Sequence, residues 1–172
     1  MKWKVGFFIL FLFACSDSYD NSDLSIFRYN ESNGISTLDP SFAKDKATIW
    51  ATSQIFSQLV SMDNNMEVVP DVAKKWIISE DGLTYSFYLR NDVFFHNHKS
   101  FIGGKGRKVI ASDFRYSFDR LTDEKIASPG SWVLNNVESY SAKNDSTFII
   151  KLNSPFPSFL SILSMQYCSV IP

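Results

Sequence analysis

The chain has 172 residues, of which 45% are hydrophobic, 16% aromatic and 20% charged, with a formal net charge of −1. Disorder is excluded, because it requires low hydrophobicity and a large net charge. The missing basic excess argues against a nucleic-acid partner, and two cysteines are too few for a disulfide scaffold.

Lys2 and Lys4 precede an unbroken apolar run, Val5 to Phe13. Such a run is too short to span a membrane, which takes about 20 residues. A charged start, a short apolar middle and a small residue before a break have the form of a secretory signal. The break, Leu12-Phe13-Ala14-Cys15, resembles the lipobox of bacterial lipoproteins, in which the cysteine is acylated and becomes the mature N-terminus. Residues 1–14 are therefore expected to be a lipoprotein signal peptide and Cys15 the lipidation site. An ordinary signal peptide with an incidental cysteine is the alternative. Residues 15–23 are polar after Cys15 and read as a flexible tether. The folded part begins near Leu24, in the cell envelope, lipid-anchored to a membrane and facing the periplasm or the exterior.

Leu24 to Tyr29 predicts a strand, closed by turn residues from Asn30 to Gly34. Lys44 to Leu59 predicts a helix, with Ala47, Ala51, Ile55 and Leu59 four apart. Two short strands, Leu59 to Met62 and Glu67 to Val69, flank Asp63-Asn64-Asn65, and Pro70 opens a short helical turn ending at Trp76. From Leu83 to Leu89 the pattern alternates, with Tyr85, Phe87 and Leu89 on one face, as in a half-buried strand. Val93 to His96 leads into a polar, Gly-rich loop, Asn97 to Lys108. Ser112 or Asp113 caps a helix whose apolar side is Phe114, Phe118 and Leu121. Val137 to Ala142 and Thr147 to Leu152 pair as a hairpin across Lys143-Asn144-Asp145. Ser158 to Met165 predicts a helix and Cys168 to Ile171 a last strand. The elements make a mixed α/β body with short strands.

Catalytic chemistry finds few candidates. His96 and His98 form a His-x-His pair at a strand end, a pattern that can bind a transition metal, but no neighbouring Cys or acidic spacing completes a ligand set. Cys168 sits in an apolar context that favours a buried thiol over a reactive one. Gly103-Gly104-Lys105-Gly106-Arg107-Lys108 lacks the spacing of a phosphate loop and reads as a solvated hairpin loop. No G-x-S-x-G exposes a serine nucleophile, and the acidic residues from Asp113 to Asp119 read as a cap and a solvated face. The chain is read as a non-enzyme without a cofactor or a bound metal. The aromatic residues belong to the core, with a few available to line a cleft.

Leu38-Asp39-Pro40, Gln54-Ile55-Phe56 with Leu59-Val60, Pro70-Asp71-Val72-Ala73 with Trp76, and Asp81-Gly82-Leu83-Thr84-Tyr85 with Phe87 and Leu89-Arg90 follow in order. They lead to Asp92-Val93 with Phe95-His96, and to Ala111-Ser112-Asp113-Phe114 with Tyr116-Ser117-Phe118 and Arg120. Together these blocks resemble the N-terminal part of bacterial extracellular solute-binding protein family 5, the oligopeptide-, dipeptide- and nickel-binding receptors of ABC importers. The resemblance implies a class II periplasmic-binding-protein-like α/β fold, in which two lobes close on the ligand and an extra domain elaborates one of them. Residues 24–51 would start the first lobe, 52–155 form the extra α+β domain, and 156–172 return to the first lobe. The chain would stop before the second lobe and be a fragment, with strand edges left open to aggregation.

The resemblance further implies a peptide ligand and an ABC permease complex as partners. It places the ligand edge, a form of β-augmentation, at Ala43, Lys44, Asp45 and Lys46. A second contact follows Ala127-Ser128-Pro129, where peptide binders can carry an aromatic residue; this chain has Gly130, with Trp132 two positions on. Nickel or a metal chelate is an alternative cargo. A surface interaction lipoprotein or a non-transporting remnant is an alternative role, and a periplasmic hydrolase the weakest.

Overall fold

A computed structural model describes residues 28–172. The expected signal segment, Cys15, the tether and most of the first expected strand lie outside the described residues. Arg28–Asn30, the described end of the unit formed by residues 1–30, carry no helix or strand. Every element named below lies in the second unit, Glu31–Pro172.

Asp39 accepts the Ser41 N–H at 2.9 Å, capping a 3-10 turn over Pro40–Phe42. Asp45 does the same for helix α1 (Lys46–Ser53), its carboxylate taking both the Thr48 N–H and the Thr48 hydroxyl. Those two bonds hold its pKa below the ordinary carboxylate value. Helix α1 is far shorter than the stretch from Lys44 to Leu59 that the apolar spacing predicts. The hydroxyls of Thr52 and Ser53 bond back to carbonyls of the preceding turn, local competition that ends short helices. Ile55 and Leu59 follow the helix instead of extending its stripe.

Strands β1 (Val60–Met62) and β2 (Val68–Pro70) pair as an antiparallel hairpin, with Ser61 opposite Val69. Asp63 closes its turn by accepting the N–H groups of Asn65 and Glu67. The expected helical turn from Pro70 to Trp76 does not form. Ala73–Ile78 is strand β3, paired antiparallel with β4 (Thr84–Leu89) so that Trp76 faces Phe87. Proline ends β2, and the pairing of β3 with β4 outweighs local preference. Tyr85, Phe87 and Leu89 are buried on one face of β4, as their alternation predicts.

Val93 to His96 contributes only a bridge, Phe94 to Lys108, at the neck of the Gly-rich loop. Helix α2 (Ala111–Thr122) then buries Phe114, Phe118 and Leu121. Its cap comes from inside the helix: Asp113, its third residue, reaches back to the Ile110 N–H at 2.9 Å. Asp113, the expected cap, is buried, and the Arg107 guanidinium grips both its oxygens, at 2.6 and 2.8 Å.

Strands β5 (Val137–Asn144) and β6 (Thr147–Leu152) form the expected hairpin, and β6 also pairs with β4. The sheet order is β3-β4-β6-β5, antiparallel throughout. Helix α2 packs on the β5–β6 side of this sheet. Phe118 meets Phe148 and Tyr140 edge-on, at centroid distances of 5.5 and 5.4 Å, and Phe114 meets Phe148 at 5.9 Å. Helix α3 (Phe159–Leu163) is shorter than predicted. The expected strand from Cys168 to Ile171 is instead a 3-10 turn, Gln166–Cys168, followed by extended chain. That tail bonds outside any sheet: the Val170 N–H donates to the Ser57 carbonyl, and the Ile171 N–H to the Ser117 hydroxyl. Among the described residues, no helix is long and apolar enough to cross a membrane.

Phe148 touches both α2 aromatics and has no exposed surface. Phe148→Ala should therefore cost about 3–5 kcal/mol, read from urea unfolding. Cys168 is buried, and burial pushes its thiol pKa up to about 12. Only the thiolate alkylates, so iodoacetamide near neutral pH should label Cys168 after denaturation and leave it unmodified in the folded protein, as mass spectrometry would report.

Candidate functional site

Three segments distant in sequence meet around a concavity of about 350 Å³. Its lining comprises Ala43, Lys44 and Ile49 at the start of α1, Trp132 from the 3-10 turn Ser131–Leu134, and Ser164 to Tyr167 after α3. The wall is apolar and aromatic, with the Lys44 side chain, Ser164 and Gln166 as its polar members. Trp132 is about half exposed and Tyr167 nearly buried.

A polar chain fixes the first two of these segments to each other. The Arg120 guanidinium, near the end of α2, contacts Asp39 Oδ2 at 2.5 Å. Asp39 caps the turn that contains Ser41, and the Ser41 carbonyl accepts the buried Ser128 hydroxyl at 2.6 Å. Ser128 Oγ accepts in turn from the Gly130 N–H at 3.0 Å. One hydroxyl thus joins the segment leading to Ala43 with the segment leading to Trp132. The third segment is tied separately: Gln58 donates through Nε2 to Ser169 Oγ at 2.8 Å and to Gln166 Oε1 at 3.2 Å. Arg120 Nε is buried and has no hydrogen-bond partner among the described residues.

Of the residues expected at the ligand edge, Ala43, Lys44 and Trp132 line this concavity. Asp45 is committed to capping α1, and Lys46 is the exposed first residue of that helix. Gly130 lies against the Tyr167 ring: a β-carbon there would stand 2.2 Å from Tyr167 Cδ1 and 2.4 Å from Cγ. No substituent fits at position 130 while the ring keeps its place. Sequence reasoning missed Tyr167, Ile49 and Met165 as lining residues and Arg120 and Ser128 as supports. Ser128 stands in the Ala-Ser-Pro motif, whereas nothing local to Tyr167 signals its proximity to Gly130.

The histidine pair lies elsewhere. His96 and His98 line a second, larger concavity of about 760 Å³ walled mainly by Phe56, Phe94, Phe95 and Phe101. His98 Nδ1 accepts the Ser100 N–H at 3.2 Å. Among the described residues, no group of three His, Cys, Asp or Glu side chains is placed to hold a metal ion.

Comparison with known proteins gives a consistent result. The profile of the bacterial extracellular solute-binding proteins, family 5 Middle, matches residues 67–172. The chain is 31% identical over 129 residues to the dipeptide-binding protein of Escherichia coli (strain K12), a match covering 68% of this chain and 24% of that protein. Its fold is similar to that of the ABC transporter-associated periplasmic binding protein DppA from Helicobacter pylori, solved in complex with the peptide STSA. There the TM-score is 0.71 at 32% identity, over 80% of this chain and 29% of that one. It is also similar to NikZ from Campylobacter jejuni, in complex with Ni(L-His), with a TM-score of 0.67 at 32% identity, over 81% of this chain and 26% of that one. The matched part of the chain thus spans 24% to 29% of the length of these relatives.

Replacing Ser128 by Ala leaves the buried Ser41 carbonyl and the Gly130 N–H without their shared partner. The expected cost is about 1–3 kcal/mol. Hydrogen exchange should then speed up at the Gly130 amide and through Phe42 to Lys44, while the β5–β6 hairpin keeps its protection.

Proposed function

Because the chain belongs to the bacterial extracellular solute-binding proteins of family 5 and shares their periplasmic-binding-protein-like α/β fold, we propose that it is the substrate-binding lipoprotein of an ABC importer. In this reading it captures extracytoplasmic peptides and delivers them to a membrane permease, performing no catalytic step. Cys15 carries the lipid that holds it at the membrane. Residues 24–51 and 156–172 belong to one lobe, and 52–155 to the extra domain.

One observation carries the ligand reading. Ala43 and Trp132, far apart in sequence, face a single concavity, and Ser128 holds their two segments in fixed register. The packing of the Gln166–Cys168 turn against the Pro40–Phe42 turn and α1 supports placing residues 40–51 and 156–172 in one lobe. The surface is then one wall of a cleft, against which an extended peptide lays its backbone along Ala43 to Lys46 and places side chains toward Gly130 and Trp132. Closure around such a ligand takes two lobes.

Two measurements test this. The intact mass of the protein extracted with detergent from its own cells should show a chain that begins at Cys15 and carries acyl groups, and Cys15→Ser should abolish the acyl mass. Calorimetry on residues 15–172 alone should give peptide affinity weaker than micromolar, while the same peptides still shift the amide resonances of Ala43 and Lys44. Micromolar affinity for the isolated chain would overturn the one-wall reading.

A further inference from the structure

We propose that Tyr167 is the specificity-determining residue of the 350 Å³ concavity, which admits an aromatic or branched apolar side chain of the ligand in preference to a cationic one. The proposal rests on the reading of Ala43 to Lys46, Gly130 and Trp132 as the ligand edge. The Tyr167 ring occupies the space into which any side chain at position 130 would project, since a β-carbon there would approach three of its carbons within 3 Å. The pocket therefore receives its second aromatic surface from position 167 and only one, Trp132, from the segment after Ser128.

The volume lies at the small end of ligand pockets, which run from about 300 to 1,000 Å³. Ile49 and Met165 complete an apolar wall with the two rings, and a polarizable thioether in the wall suits an aromatic guest. Charge points the same way. Lys44 lines the pocket, and its ammonium takes part in no salt bridge among the described residues. The adjacent carboxylate of Asp45 is occupied by Thr48, and no Asp or Glu lines the wall to receive a cation. An ammonium or guanidinium entering here meets the Lys44 ammonium, and the Asp45 carboxylate beside the pocket is already engaged by Thr48 and offset by Lys44.

The test uses residues 15–172 with three tripeptides, Ala-Phe-Ala, Ala-Leu-Ala and Ala-Lys-Ala, titrated while the resonances of Ala43, Lys44, Ile49 and Met165 are followed. The expected order of affinity is Phe, then Leu, then Lys, with Ile49 and Met165 shifting for the first two only. Tyr167→Leu keeps an apolar filling without a ring, so it protects the fold better than Tyr167→Ala. It should weaken Ala-Phe-Ala about three- to tenfold, the scale of one lost aromatic pair, and leave Ala-Lys-Ala unchanged. Gly130→Ala, which forces the Tyr167 ring to move, should also weaken Ala-Phe-Ala relative to Ala-Lys-Ala. Equal affinity for the three peptides, with shifts at Ala43 and Lys44, overturns this proposal and leaves the ligand edge standing. No shift at Ala43 or Lys44 with any peptide overturns both.

Discussion

Three peripheral segments of the described chain are referred to one helix. The seat of α2 on the sheet, with Phe114 and Phe118 against Phe148, is a dry aromatic contact, and three polar attachments radiate from the helix it fixes. At its start, Asp113 takes Arg107 and so gathers the Gly-rich loop. At its middle, Ser117 accepts the Ile171 N–H and pins the tail. Near its end, Arg120 reaches Asp39 and positions the turn that leads to the candidate ligand edge. Apolar burial supplies the energy here and the polar bonds supply the geometry, a division expected when directional bonds contribute little net free energy but cost much if broken.

The site follows from that arrangement. Its segments carry no common secondary structure, and none is long enough to hold a shape alone. They are placed by three bonds between side chain and backbone, Asp39 to Ser41, Ser128 to Ser41 and Gly130 to Ser128, and by one between side chains, Gln58 to Ser169. Such bonds fix backbone position without filling the space in front of it. The pocket wall can therefore vary in its side chains while the frame behind it stays the same, and in this chain the Gly130 and Tyr167 pair is one such choice.

Legibility in the sequence tracked how local the cause was. Strand β4 and helix α2 were legible because each has a regular apolar period, and the β5–β6 hairpin because two strand patterns flank a turn. Strand β3 was not, since Pro70 precedes it and Lys74-Lys75 interrupts its alternation; its stability comes from β4 across the turn. The length of α1 was overread because spacing ignores the hydroxyl bonds of Thr52 and Ser53. The tail after α3 is shaped by Ser57, Gln58 and Ser117, partners distant in sequence that no local pattern announces. Ala43, Lys44 and Trp132 could be named because motifs precede them, whereas Tyr167 enters the site only through the fold.

The order of the sheet also bears on how the chain assembles. Strands β3 and β4 are one local hairpin and β5 and β6 another, yet the centre of the sheet is the seam between them, β4 against β6, with Phe87 opposite Phe148. Each hairpin can form quickly on its own, on a scale of about 1–10 μs. Joining them requires closing the long stretch that contains the Gly-rich loop and α2, an entropic cost met before any seam contact repays it. The seam is thus the natural barrier to folding: changes there would slow assembly, whereas changes in the exposed outer strands would mainly hasten unfolding.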